Sequence, residues 1–110
     1  MASLDVNKLT EDMMARMKPI LGEHWQRVQQ YVKEESAKLA LTVAKIEIQR
    51  ATGAISEQQA NTLFEMQKNA SLAVLAVSAG IGDMAAAKAF SVALAELKDP
   101  INKALGFDLL

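Results

Sequence analysis

Between Asn69 and Ala87 the chain reads NASLAVLAVSAGIGDMAAA, with Asp83 as its only charge. A surface helix of a globular protein carries one apolar stripe and one wet face. This segment is apolar or small on every side. In a chain of 110 residues few other elements remain to cover it. The segment therefore bears on assembly more than on chemistry.

The rest of the composition narrows the fold. Hydrophobic residues make up 51% of the chain but aromatic residues only 5%, so the apolar content is mostly Ala, Leu, Val, Ile and Met. Ala, Leu and Met favour helix, and Gly and Pro are few. The expectation is one all-α domain spanning 1–110. The formal net charge of −1 offers no basic face, so no nucleic-acid partner is expected. The absence of Cys removes disulfides, thiolate metal sites and Cys nucleophiles. The N-terminal MASLDVNKLTEDMM lacks a basic region followed by an apolar core, so it does not read as a secretory signal, and a cytoplasmic address is the default. The uncharged run Ala70–Gly82 falls short of the ~20 residues of a membrane span.

Helical spacing and caps divide the chain. Asp5 caps a first helix over about 5–18, carrying Leu9, Met13 and Met17 on one face. Pro19, as a first-turn residue, opens a second helix over 19–52, with Gly22 a weak spot in it. Trp25, Val28, Val32, Ser36, Leu39, Val43 and Ile46 form its narrow seam. Gly53 ends this helix, and Ser56 with Gln59 forms a capping box for the next. So short a connection predicts an antiparallel hairpin of two long helices. The third helix is read over 56–98, with one seam of Leu63, Met66, Ala70, Ala73, Val77, Gly80, Met84 and Ala87 and a second of Phe64, Ser71, Val74, Ser78 and Ile81. The 3–4 spacing passes through the glycines without a slip, which favours one continuous helix over a break at Gly80–Asp83. Asp99-Pro100 starts a short helix over 100–105, Gly106 ends it, and the apolar tail of Phe107, Leu109 and Leu110 docks on some other surface. The expected architecture is thus a hairpin of two long helices with shorter terminal helices, assembling into a helical bundle.

No catalytic, cofactor-binding or metal site is predicted. His24 is the only histidine, and its sequence neighbours suit an edge position better than a positioned base. The Glu-x-x-His pattern of helical di-iron sites is missing, since Glu65 has Lys68 at i+3. Gly80-Ile81-Gly82 lacks the glycine offsets of a phosphate loop. Glu35 is the one carboxylate with a claim to function. It borders the seam, and the hairpin sets it level with Ala73 and Val74, which carry no charge. A buried unpaired carboxylate would be costly and would mark a site. The preferred alternative turns Ser36 inward and lets Glu35 reach water.

The small residues give the stronger lead. Ala76 and Gly80, Ser78 and Gly82, and Gly82 and Ala86 are small pairs at i,i+4, which let helix backbones approach closely. The expectation is a non-enzymatic structural or protein-interaction protein. It self-associates as a dimer or tetramer through Ala70, Ala73, Val74, Ala76, Val77, Gly80, Ile81, Met84 and Ala87. An unknown protein partner fits the same surface. The second reading makes the segment and the tail a binder of lipid, granule surface or apolar ligand. It is weakened by the lack of aromatic anchors and a basic rim. A small metal-binding enzyme ranks third.

Overall fold

The computed structural model describes residues 4–110, and all regular structure among them is helical. Four α-helices follow in order: α1 (Val6–Leu21), α2 (Trp25–Ala51), α3 (Glu57–Ala73) and α4 (Asp83–Leu105). A 3-10 turn, Gly22–His24, joins the first two, and a π turn, Val74–Ser78, extends α3. The molecule measures 42 × 22 × 19 Å. Its long axis matches the roughly 40 Å expected of the 27 residues of α2.

α2 is the central element. α1 runs back along it, fixed near one end by Leu4 N–H donating to Glu47 Oε1 at 2.9 Å and near the other by Ser36 Oγ–H reaching Met17 Sδ at 3.9 Å. α3 returns along another side of α2. Arg50 stands beside Glu57 at the tip, and Arg27 reaches Ala79 at the far end. α4 packs chiefly on α1, tied to it by Arg16 and Glu96 at 2.8 Å, and touches α2 and α3 much less. The core comprises Leu9, Met13 and Met17 of α1, Val28, Val32, Leu39, Val43 and Ile46 of α2, Phe64 of α3, and Phe90, Leu97 and Ile101 of α4, among others.

The capping signals act as their chemistry dictates. Asp5 accepts from Lys8 N–H at 3.1 Å. Ser56 Oγ accepts from Gln59 N–H at 3.1 Å, while Gln59 Oε1 accepts from Ser56 N–H at 2.8 Å. Gly106 closes α4 in the left-handed conformation, its N–H donating to Asn102 O at 2.9 Å. The tail docks on the chain's own α4. Asn102 Oδ1 accepts from Leu109 N–H at 2.9 Å and Leu110 N–H at 3.0 Å, and Leu109 is buried.

Three expectations are corrected. Pro19 does not open α2: α1 continues through it to Leu21, and the corner falls at Gly22. Likewise Pro100 does not open a separate helix over 100–105, because α4 runs unbroken from Asp83 to Leu105. Both prolines lie on exposed faces, and so do Ala15 and Glu96, whose carbonyls lose their partners and can turn to water. On the opposite faces Met17 and Leu21, and Leu97 and Ile101, are buried on both sides of each proline. An interior proline costs ~3 kcal/mol, whereas each such buried side chain returns roughly 1.5–3 kcal/mol, so packing carries the helix through.

The third correction is larger. The helix read over 56–98 is broken, and the chain adopts the alternative at Gly80–Asp83. After Ala73 the ladder widens, with Ala79 N–H donating to Val74 O at 3.0 Å and Gly82 N–H to Ala76 O at 3.1 Å. Gly80 and Gly82 then take φ of 73° and 84°. That left-handed region costs an L side chain roughly 1–2 kcal/mol and costs glycine almost nothing. The apolar spacing continues across the break only as a pattern of letters. Its two halves lie on different helices.

Candidate interaction surface

α3 buries little of what it carries. Ala60, Phe64 and Ser71 are its buried residues. Leu63, Met66, Ala70 and Ala73, with Val77 of the π turn, are all exposed. Met66 is 65% exposed and Val77 78%. These five positions are spaced by three and four, which sets them in one line along the outer side of the helix. No formal charge occurs from Asn69 to Gly82. The stripe borders a groove of about 450 Å³ between the two helices, formed by Thr42, Lys45, Ile46 and Gln49 of α2 with Leu63, Met66, Gln67 and Ala70 of α3. Leu41 and Ile48, also exposed, share with Lys45 one face of α2.

The nine residues expected at an oligomer contact do not form one surface. Ala70, Ala73 and Val77 lie on the stripe, and Gly80 is exposed at the break. Val74 and Ile81 are half-buried, and Ala76 belongs to the chain's own core. Met84, 89% exposed, and Ala87 lie beyond the break on α4. Leu63 and Met66 take their place. Both belong to the 3–4 seam legible in the sequence, although neither is a small residue.

The premise behind the expected contact also changes. The segment from Asn69 to Ala87 need not be enclosed on all sides by one chain, because the break splits it. Leu75, Ala76 and Ala79 turn inward before and at the break, and Ala86 and Ala89 do so after it. What stays uncovered is the outer line of α3 with Met84 and Ala87 beyond the break.

Glu35 is 2% exposed, so it does not reach water at the edge of the seam. α2 is packed by α1 on one side and by α3 and the π turn on another, which covers a wider face than one narrow seam. The carboxylate is nevertheless paired: Lys38 Nζ lies 3.0 Å from Glu35 Oε2. The partner comes from i+3 on the same helix, with its flexible stem bringing the ammonium inward while its side chain stays half in water. A buried charge that is paired serves packing, and nothing else chemical converges on it.

The remaining polar groups brace the fold. Arg27 Nη1–H donates to Ala79 O at 3.2 Å, capping a carbonyl freed by the break, and Nη2 lies 2.9 Å from His24 Nδ1. His24 thus has a partner, but one that holds a helix end. Arg50 donates to Ile55 O at 2.8 Å and stacks on Phe107, 5.3 Å from the ring centre, so one side chain ties the hairpin tip to the tail. Among the described residues no three His, Asp or Glu side chains gather closely enough to hold a metal ion. No helix among the described residues is long and apolar enough to cross a membrane. The chain matches no known protein-family model, no curated protein and no solved structure.

Proposed function

We propose that this chain is a non-enzymatic helical protein that acts by self-association, two copies pairing through the outer face of α3. The exposed line Leu63, Met66, Ala70, Ala73 and Val77, uncharged from Asn69 onward, carries this reading. Apolar surface left in water gains about 25 cal/mol for each Å² that a partner covers. No ammonium or carboxylate on the stripe itself would have to be desolvated in doing so.

The order of side chains favours a second copy over an unrelated partner. A two-fold contact is self-complementary, so residue i meets j and j meets i. If two α3 helices pair antiparallel about the midpoint of Ala70 and Ala73, Ala70 meets Ala73 and Met66 meets Val77. Small residues at the centre allow the backbones close together, while a flexible Met fills the space beside the shorter Val. The groove against α2 accommodates side chains that overhang the stripe. Leu41 and Ile48 provide a further apolar contact through which dimers would join into a tetramer. The interface then resembles a domain core divided between two chains.

The absence of native Cys makes the pairing testable. Ala70→Cys/Ala73→Cys should form an intermolecular disulfide under mild oxidation within minutes, while Glu34→Cys on the wet face of α2 should not. Equal cross-linking of both would mean random collision and would remove the proposal.

A further inference from the structure

We infer that the cleft between α3 and α4 is a binding site for a long-chain carboxylate, its acyl chain in the cleft and its anionic head on Lys98. This goes beyond the pairing of two chains, for it uses a different face of α3. The stripe runs along the outer side of α3 and is uncharged. The cleft is concave, apolar within and cationic at its edge.

The helix packing explains why the cleft exists. α3 leans on α2, α4 leans on α1, and the two touch each other far less than either touches the helix it leans on. Between them lies a space of about 320 Å³. Phe64, Leu72, Phe90 and Leu94 line it, and Leu109 and Leu110 of the docked tail supply a further wall. That wall is fixed: Asn102 holds both tail residues through three hydrogen bonds of 2.9, 3.0 and 3.2 Å. The volume falls at the low end of ligand sites, roughly 300–1,000 Å³. It suits one acyl chain and is small for a two-chain lipid.

Charge selects the head group. Glu65, Lys68 and Lys98 border the cleft, so its edge carries two cations and one anion. Lys68 Nζ lies 3.2 Å from Glu65 Oε1, which neutralises that carboxylate. Lys98 is exposed and, among the described residues, has no carboxylate within ion-pair distance. Ser91 lies one heptad before Lys98 and lines the same cleft, offering a hydroxyl donor. One unspent ammonium and a hydroxyl beside a lipophilic slot complement a carboxylate on a hydrocarbon tail. They do not complement a cationic or zwitterionic amphiphile.

The test uses dodecanoate below its micelle concentration, followed by calorimetry and by amide chemical shifts of the full chain. A 1:1 saturable complex is expected, with the largest shifts at Ser91, Leu94 and Lys98. Lys98→Glu should weaken it about fivefold or more, reversing the sign of an exposed charge contact. Lys103→Glu, a charge change away from the cleft, should leave it unchanged. Ser91→Phe places a ring in the cleft from an exposed position and should abolish binding with helicity and melting temperature retained. Dodecanol should bind more weakly than dodecanoate. Absence of saturable binding overturns the proposal. Equal binding by dodecanol, or no loss in Lys98→Glu, overturns the assignment of an anionic head. Shifts centred on Met66 and Val77 would place the acyl chain on the stripe and overturn the site.

Discussion

α1 and α3 are nearly equal in length, 16 and 17 residues, and both lie along α2. They distribute their apolar residues in opposite ways. α1 buries Leu9, Met13, Met17 and Leu21 and turns Lys8, Glu11, Ala15 and Lys18 outward. α3 buries a single large side chain, Phe64, and leaves Leu63 and Met66 in water. The one helix is completed by its own chain, while the other has a second apolar face with nothing on it. Apolar content alone therefore does not identify core. What matters is how many faces of a helix the fold can cover.

The largest effect expected from this contrast concerns the methionines. Met13→Ala removes a fully buried side chain and should lower monomer stability by about 2–5 kcal/mol in urea unfolding. Met66→Lys, on the exposed face of α3, should change it by less than about 0.5 kcal/mol in dilute solution. Similar losses from the two would erase the distinction between the helices.

α2 supplies the next effect. Lys38→Ala leaves Glu35 buried without its partner and should cost about 1–3 kcal/mol. Replacing the charge as well, in Glu35→Gln/Lys38→Ala, should recover part of that loss. A neutral outcome for Lys38→Ala would show that Glu35 finds water in solution and that the face of α2 between α1 and α3 is narrower than described.

The smallest effect lies at the end of α3. Gly80→Ala should cost roughly 1–2 kcal/mol through the left-handed backbone. Its added Cβ would meet only Arg27 Nη1, at 3.6 Å, an ordinary contact. A gain in stability would instead mean that the break rearranges into continuous helix.

The same contrast explains what could be read from the letters. In α1 and α2 the residues named by the 3–4 spacing are buried, Trp25 alone being half-buried, and Thr10, Glu35 and Ala40 are buried beside them. The Asp5 cap, the Ser56–Gln59 box and the Gly106 end rest on local hydrogen bonds and needed no knowledge of packing. The prolines misled because their cost depends on which face they occupy, and only burial of Leu21 and Ile101 decides that. The break at Gly80–Gly82 stood only as the second choice because periodicity measures spacing and is blind to backbone sign. The burial of Glu35 could not be read because it depends on how much of α2 the neighbouring helices cover, whereas its partner Lys38, three residues on, lies within reach on the same helix. On α3 the two seams were visible, but which would face inward was not. Phe64 settles it, being the residue whose burial gains most.

If the outer face of α3 is an interface between copies of this chain, covering it holds the copies together. Sedimentation equilibrium of the wild-type chain and of Val77→Glu, at micromolar concentration, tests this most directly. Val77 is 78% exposed, so the substitution leaves the monomer's core untouched. The expected result is a wild-type dimer or tetramer and a Val77→Glu monomer with unchanged helicity and cooperative unfolding. A wild-type chain that stays monomeric and cooperatively folded across the micromolar range would contradict it.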